Sequence, residues 1–423
     1  MENIKNHKNQ KMSFIKNTGY LVMIISILSC TNKNPEITLK TGIWRGEIIA
    51  QNNKIPFNFE VIKNKNNYTI NLINGDEVLE IEAVKIKEDS LFFDFHIFDT
   101  SIKAKIENDK LTGSYTKNYA KDYVLPFTAV YGKTGRFDDV KSDHNFDGTW
   151  ETTFLTKEGK EIAAIGIFKT ENSVFKGTFL TKTGDYRFLD GYTHSDTMNL
   201  FTFDGNHIYK FKAFKQNDSV LRGEYWSGKT GYRTFISKKN PDAKLPDANM
   251  LTFLKDGYDK IEFSFPDLEG NPVTLNDKKY QEKVVLLQIF GTWCPNCMDE
   301  TKFYSNWYNK NKDKGVEIIG LAYENKKNGK ADFEYAKSRV EKMKKKYHVN
   351  YDFVIAGTSS SKEASKSLPM LNKIMSFPTT IFIDRKGKVR KIHTGFSGPA
   401  TGKYYEAYVN EFNSFMKELI NEE

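Results

Sequence analysis

Residues 291–300, GTWCPNCMDE, place two cysteines two residues apart, directly after an apolar run. The run at 284–290 predicts a strand buried on both faces, because central strands of parallel sheets are nearly continuously apolar. A helix is predicted to continue through 298–301. Cys294 therefore stands at a helix N-terminus, where unpaired N–H groups and the helix dipole favour a thiolate. Cys297 lies one turn further along and can close a disulfide with it.

Three chemistries use such a pair: metal binding, a structural disulfide or a reversible redox couple. A structural zinc site needs four ligands. The chain has only one further cysteine, and its seven histidines are scattered. A disulfide across so short a loop restrains the unfolded chain little. The pair therefore favours redox chemistry, and we expect no metal and no other cofactor.

A second stretch supports the redox interpretation. Residues 376–384, SFPTTIFID, put a proline directly before a predicted strand, and 385–389 predict the turn of a hairpin. With PDLEG at 266–270, FGTWC at 290–294 and a glutamate after the second cysteine, the stretch from about 260 to 420 resembles the TlpA/ResA-like thioredoxin family of extracytoplasmic thiol-disulfide oxidoreductases. The resemblance covers a little over a third of the chain.

The resemblance implies a role for each matching residue. Cys294 is the expected nucleophile and Cys297 the resolving thiol, and the two form the redox disulfide. Pro378 is expected to be cis and to lie beside them. Trp293 and Phe377 are expected to bind the client protein, with Phe377 offering its backbone to a client strand. The direction of electron flow stays open, because reducing pathways also operate in oxidising compartments.

Glu300 matches the family's active-site glutamate and is expected to exchange a proton with Cys297. An ordinary surface glutamate is the alternative. Gln288 stands where thioredoxin itself has a buried aspartate, which fits the TlpA-like branch and makes Glu300 the better proton relay. The dipeptide Pro295-Asn296 departs from the family's usual order, so the redox potential is open.

Two other functions compete with this interpretation. A peroxiredoxin would need a proline and a threonine where this chain has Leu287 and Gly291, so that motif fails. The other alternative is a surface lipoprotein that binds a ligand or protein and carries an accessory thioredoxin-like domain. Reduction of insulin by the wild type but not by a Cys294→Ala variant would separate them.

The N-terminus predicts export. Residues 1–29 combine lysines with an apolar stretch too short for a stable membrane span and predict a lipoprotein signal peptide. The stretch before Cys30 resembles a bacterial lipobox, which implies cleavage there and lipidation of Cys30, with 30–40 as a tether. We expect a periplasm-facing lipoprotein of the cell envelope on either membrane. Its partners would be protein thiols or disulfides and a membrane electron donor or acceptor.

Residues 41–137 and 145–237 form an internal repeat. Gly42-Ile43-Trp44 recurs as Gly148-Thr149-Trp150, and Phe127 matches Phe235. Alternating apolar residues and frequent turn signals predict about eight strands per copy and no helix. We therefore predict meanders that close as barrels, with cores filled by side chains or with a ligand pocket inside.

The predicted fold class is thus an α/β thioredoxin fold at the C-terminus, preceded by a duplicated all-β region. Residues 238–259 are predicted to be a linker with one short helix, and 260–423 the thioredoxin-like redox domain. Because the redox motifs all follow the repeats, we expect the β-rich region to be separable. The net charge of +9 comes partly from the signal peptide and from solvated helix faces, so we expect no nucleic-acid partner.

Overall fold

The computed structural model describes residues 38–65, 67–95, 97–138, 142–143 and 145–422. Leu39–Glu423 form one compact unit. The predicted signal peptide, Cys30 and most of the tether lie outside the described residues. Within the described part of the chain, no helix is both long enough and apolar enough to cross a membrane.

The first repeat is an antiparallel meander of nine strands. They are β1 (Gly42–Ala50), β2 (Asn53–Asn64), β3 (Asn67–Asn74), β4 (Glu77–Ile81), β5 (Val84–Lys87), β6 (Ser90–Phe95), β7 (Thr100–Glu107), β8 (Lys110–Lys117) and β9 (Val124–Tyr131). β1 pairs with both β2 and β9, which curls the sheet on itself. β4 and β5 stand at its two ends, so its hydrogen-bonded ladder is open between them and the closure predicted from the sequence is incomplete in this copy, which we call the first barrel.

The second repeat also has nine strands. They are β10 (Gly148–Thr156), β11 (Glu161–Glu171), β12 (Val174–Thr181), β13 (Gly184–Asp185), β14 (Leu189–His194), β15 (Thr197–Phe203), β16 (Ile208–Asn217), β17 (Val220–Ser227) and β18 (Gly231–Lys239). β11 pairs with both β10 and β12, so the ladder closes into a ring from which only the two-residue β13 stands apart. A closed ring leaves no unpaired strand edge.

The two repeats share their internal chemistry as well as their strand order. The Trp44 indole N–H donates to the carbonyl of Lys40 at 3.0 Å. The Trp150 indole N–H donates to the carbonyl of Phe146 at 2.9 Å. Both tryptophans are fully buried, so each copy keeps the same anchor at its first strand. The structure thus confirms the predicted duplicated all-β region, with nine strands per copy instead of about eight.

Aromatic rings fill the interior of the second barrel. The Phe179 and Phe211 rings stack at 4.8 Å, and the Phe211 and Tyr225 rings stack at 4.5 Å. Phe154 and Phe235 close the same cluster with ring centroids 5.3 Å apart. The sequence left open whether each barrel is filled by side chains or holds a ligand pocket. The interior of the second barrel is filled by side chains.

The C-terminal part has the thioredoxin-like α/β order. Its elements are β19 (Phe265–Pro266), β20 (Pro272–Val273), β21 (Val284–Phe290), α1 (Pro295–Asn311), β22 (Val316–Glu324), α2 (Phe333–Lys346), β23 (Asp352–Thr358), α3 (Ser361–Ser367), β24 (Thr379–Ile383), β25 (Val389–Thr394) and α4 (Lys403–Asn421), with 3₁₀ turns at Ala248–Met250, Lys312–Lys314 and Pro399–Thr401. The main sheet runs β23-β22-β21-β24-β25, parallel from β21 to β23 and antiparallel at β24 and β25.

The central strand β21 is buried along its whole length, as its apolar run predicts. Val284, Leu286 and Phe290 pack on the side of α1 and α4, and Val285, Leu287 and Ile289 pack on the opposite side. Because side chains alternate along a strand, Gln288 points to the same side as Leu286, toward α1. That position places its amide among the buried polar groups described below.

The repeats and the redox domain share a core. The buried apolar residues of the first barrel and those on the α1 side of the redox sheet form one continuous cluster. The linker is also packed, since Thr394 donates its hydroxyl to Thr252 at 2.9 Å and Lys255 N–H bonds Met370 O at 2.8 Å. The independence of the two regions expected from the sequence is therefore not seen in their packing.

Candidate active site

The cysteine motif sits where β21 ends and α1 begins. Cys294 is the N-cap residue of α1, and its sulfur accepts a hydrogen bond from the Cys297 N–H at 3.3 Å. Pro295 follows at the first helical position, where its missing N–H leaves no bond unmade. Both cysteines are free thiols here. Cys294 is 7% exposed and Cys297 is fully buried, so Cys294 is the sulfur that a substrate reaches first.

Gly291 allows the loop before the cysteines to fold tightly. A Cβ at this position would lie 2.2 Å from the indole nitrogen of Trp293 and 2.7 Å from the carbonyl oxygen of Tyr323. The Trp293 indole N–H donates to that same carbonyl at 2.9 Å. Any side chain at 291 would displace the tryptophan, so the glycine fixes the wall of the site.

The loop before β24 lies against the first cysteine. The Phe377–Pro378 peptide bond is cis, as the resemblance implies. The sulfur of Cys294 lies 3.5 Å from the carbonyl oxygen of Phe377. The rings of Trp293 and Phe377 pack edge to face at 5.5 Å. The two aromatic rings thus pack together beside the Cys294 sulfur.

Glu300 lies inside the domain, on the face of α1 that packs against the sheet. It is fully buried, which excludes the surface-glutamate alternative. Its carboxyl accepts hydrogen bonds from the Gln288 amide at 2.9 Å and the Thr380 hydroxyl at 3.0 Å. Burial raises the pKa of Glu300 to about 8, although these bonds oppose the rise. The carboxyl can therefore gain or lose a proton close to neutral pH.

Cys297 is the second buried acid of the site. Burial raises the pKa of its thiol well above the ordinary value, and a hydrogen bond with the Cys294 side chain and the nearby charge of Glu300 raise that pKa further. The Cys297 thiol therefore holds its proton at neutral pH unless a base removes it. Among the described residues, the carboxyl of Glu300 is an acid–base group whose charge acts on that thiol.

A family model described as Redoxin matches residues 241–408. Among the similar curated proteins is the thiol-disulfide oxidoreductase ResA of Bacillus subtilis (strain 168), which is 30% identical over 164 residues, 39% of this chain and 77% of that protein. The chain belongs to the ResA family of thiol-disulfide oxidoreductases. The protein of the same name from Halalkalibacterium halodurans is 29% identical over 167 residues, 39% of this chain and 78% of that protein.

Solved structures of similar name also match this ResA-family protein over part of its length. A thiol-disulfide oxidoreductase from Bacteroides fragilis NCTC 9343 is 26% identical and covers 36% of this chain and 99% of its own, with a TM-score of 0.26. A thioredoxin-family thiol:disulfide interchange protein from Chlorobium tepidum TLS is 19% identical and covers 40% of this chain and all of its own, with a TM-score of 0.29.

The structure brings together every site residue predicted from the redox motifs. These are Trp293, Cys294, Cys297, Glu300, Phe377 and Pro378. Cys30, the predicted lipidation site, lies outside the described residues. Within the described residues, no group of three or more His, Cys, Asp and Glu side chains is placed to hold a metal ion.

Glu324 is a buried carboxyl of the site that the sequence did not reveal. It ends β22 and accepts from both the N–H and the hydroxyl of Thr292 at 2.7 Å. Burial raises its pKa, while Thr292 and the charge of Arg339 oppose the rise. Glu324 therefore holds the loop just before Trp293. A charged residue at the end of a largely apolar strand was the only signal for it.

The barrels also supply residues at the redox site. The side-chain amide of Asn206, in the turn between β15 and β16, donates to the carbonyl of Trp293 at 2.9 Å. The guanidinium of Arg187 binds both carboxylate oxygens of Asp299 on α1, at 2.8 and 3.0 Å. These residues lie about a hundred positions before the cysteines, and no motif marks them.

Proposed function

We propose that this protein is a membrane-anchored, extracytoplasmic oxidoreductase that exchanges disulfides with protein clients through Cys294 and Cys297. The observation that carries the proposal is the placement of Cys294. Its sulfur caps α1 and lies 3.5 Å from the carbonyl of Phe377 beside the cis bond, while the fully buried Glu300 acts on the neighbouring Cys297 thiol. The proposed nucleophile, the loop that would face the client and the carboxyl that would hold the proton therefore lie close together.

Disulfide reduction would proceed in two steps. The Cys294 thiolate attacks one sulfur of the client disulfide, forming a mixed disulfide and releasing one client thiolate. Cys297 then gives its proton to the Glu300 carboxylate and attacks the sulfur of Cys294, which releases the second client thiolate. The two cysteines are oxidised by two electrons and the client is reduced by two. The reverse order oxidises a client dithiol, and both directions need the same proton transfer.

Glu300 suits the proton transfer because its pKa of about 8 lies near the working pH. Its bonds to Gln288 and Thr380 fix the carboxyl in place in either protonation state. Trp293 and Phe377 would bind the client on either side of Cys294, and Pro378 would shape the backbone that faces the client strand. These roles are the family's, assigned to the matching positions of this chain.

Lipidation of Cys30 would attach the protein to a membrane, with the redox domain in the periplasm. A membrane-bound donor or acceptor would then reset the dithiol after each client. Support comes from the basic and apolar pattern of residues 1–29. A Cys30→Ala variant should leave the membrane and keep its activity in vitro. Continued membrane association would mean that an uncleaved helix holds the protein instead.

Insulin reduction tests the redox function. The wild type, incubated with a thiol reductant, should accelerate insulin reduction, and Cys294→Ala should lower the rate to that of the reductant alone. A matched control is Ser305→Ala, a buried residue further along α1 whose hydroxyl bonds the carbonyls of Tyr347 and His348, which should keep most of the activity. Equal signals from wild type and Cys294→Ala would favour a binding lipoprotein whose cysteines are incidental.

A further inference from the structure

Two segments of the second barrel lie over the cysteine motif. One is the stretch 181–187, around the two-residue β13, and the other is the turn at 204–207 between β15 and β16. Together we call them the cover. The cover contacts the client-facing side of the redox domain, where Trp293, Asn296, Ser376 and the turn after β25 meet.

The first segment touches the cis-proline loop through its backbone. The Ser376 hydroxyl donates to the carbonyl of Thr183 at 3.0 Å. A Cβ on Gly395 would lie 2.8 Å from the backbone of Thr183, and one on Gly184 would lie 3.0 Å from the side-chain nitrogen of Asn296. At the two glycines, the backbone segments therefore lie too close together to accommodate a side chain. The Ser376 contact directly precedes Phe377.

Arg187 fastens that segment to α1. It is 1% exposed and binds Asp299, two residues after Cys297, through two parallel hydrogen bonds. The same guanidinium binds Glu77 of the first barrel at 2.6 Å and Asp204 of the second at 3.0 Å. Planar, two-pronged pairing of this kind fixes orientation as well as contact. One side chain therefore joins both barrels to the active-site helix.

The second segment is held from both sides. Asn206 donates to the carbonyl of Trp293, directly beside the reactive cysteine. The neighbouring carbonyl of Gly205 accepts from Thr100 at 2.6 Å and from Tyr115 at 3.1 Å, both inside the first barrel. The turn therefore cannot move away from Trp293 unless it also moves relative to the first barrel.

We propose that this cover determines which disulfides reach Cys294, and that Arg187 is the residue that keeps it in place. While the cover is docked, small disulfides react and folded protein clients are excluded, because they need the surface that 181–187 occupies. A protein client reacts after the cover lifts. The inference rests on the proposed function and adds its substrate selection.

The docked state also contains a group that favours opening. Asn296, between the two cysteines, is 8% exposed, and its side-chain nitrogen has no hydrogen-bond partner among the described residues. A buried donor without a partner is unfavourable relative to one that meets water or a client carbonyl. Lifting the cover would expose this donor, so the docked state is held by Arg187 against that tendency.

The test compares two oxidants of the reduced protein, oxidised glutathione and insulin. In Arg187→Met, the insulin rate divided by the glutathione rate should rise on the order of ten-fold, because a tenfold shift needs only a modest change in the docking equilibrium. Arg136→Met is the matched control. Arg136 is also a β-region arginine with a largely buried side chain, bonded to the carbonyls of Pro56 and Phe201 and paired with Asp190 at 3.6 Å, and its loss should leave the ratio unchanged.

Asn206→Ala keeps the inference testable if Arg187→Met does not fold. It removes one hydrogen bond to Trp293 and should raise the same ratio by about two- to five-fold, in line with the loss of a single bond. An unchanged ratio in a folded Arg187→Met, or in Asn206→Ala where the first variant does not fold, overturns the cover. A wild type that reacts with neither oxidant contradicts the proposed function instead.

Discussion

Two buried polar networks lie near the dithiol, and they are built from different groups. In the lower network, the carboxyl of Glu300 is held by the neutral side chains of Gln288 and Thr380. In the upper network, the guanidinium of Arg187 is surrounded by the carboxylates of Glu77, Asp204 and Asp299. The lower network has one acid and neutral partners, and the upper one has several anions around a buried cation, with the more exposed Lys302 and His207 beside them.

This difference gives the two networks different roles. The lower network can exchange a proton, and the upper network attaches the barrels to the redox domain. Burial among neutral groups raises the pKa of Glu300 to about 8, so its charge changes near neutrality. Burial disfavours the charge on Arg187, but Asp299, Glu77 and Asp204 outweigh it and raise the pKa well above the ordinary value. Asp204 is affected in the opposite sense, since His207 and Arg187 overcome its burial and lower its pKa. Arg187 and Asp204 therefore stay charged, and the upper network holds surfaces together.

The largest effect should come from removing the cation of the upper network. Arg187→Met removes the fully buried cation from three buried or nearly buried carboxylates, which keep only the more exposed Lys302 and His207 as partners. Breaking one side of a buried ion pair costs about 3–5 kcal/mol. We expect a loss of that order in the free energy of unfolding, measured with denaturant. Arg136→Met should lose less, and equal losses would mean that the upper network is not a special attachment.

Removing the acid of the lower network should affect the reaction more than the fold. In Glu300→Gln, disulfide exchange should slow on the order of ten-fold, because general acid–base help matters less in facile thiol exchange than in harder reactions. The pH dependence of the rate should change near pH 8, while alkylation of Cys294 continues. Glu317→Gln, a buried carboxyl bonded to Lys283 and Tyr308, is the control. Superimposable pH–rate curves would contradict the role of Glu300.

The same variant should change how stability depends on pH. The pKa of Glu300 rises from 4.5 to about 8 on folding, so the folded state binds more protons between these values. The contribution of this carboxyl to stability is therefore full below pH 4.5 and is lost as the pH rises through 8. Glu300→Gln should flatten that fall, by at most about 1.4 kcal/mol per pH unit. Parallel stability curves for both proteins would contradict a raised pKa for Glu300 in the folded state.

The smallest effect should come from Glu324, which supports the loop before Trp293 and belongs to neither the lower nor the upper network. Glu324→Gln keeps one acceptor for Thr292 and loses the other. We expect a loss of about 1 kcal/mol in the free energy of unfolding, as for one hydrogen bond, and a smaller change in exchange rate than in Glu300→Gln. A larger rate effect than that of Glu300→Gln would place the critical acid on β22 instead of α1.

The sequence predicted the lower network and not the upper one, for a physical reason. The buried strand, the helix start at Cys294 and the position of Glu300 are local patterns of adjacent residues, and the structure confirms the thioredoxin fold they indicate. The repeat was visible because Trp44 and Trp150 recur in register. The contact of Arg187 with Asp299 joins residues 112 positions apart, and neither carries a motif. Packing between domains leaves no periodic signal along the chain.

Trapping of a mixed disulfide tests the central claim most directly. In Cys297→Ser, the resolving thiol is absent, so a small peptide disulfide should remain attached to Cys294 after attack. Mass spectrometry of the quenched protein should find one half of the peptide on Cys294, and Cys294→Ser should carry none on the fully buried Cys297. Absence of the adduct from Cys297→Ser, or equal labelling of Cys297 in Cys294→Ser, would contradict the assignment of Cys294 as the nucleophile.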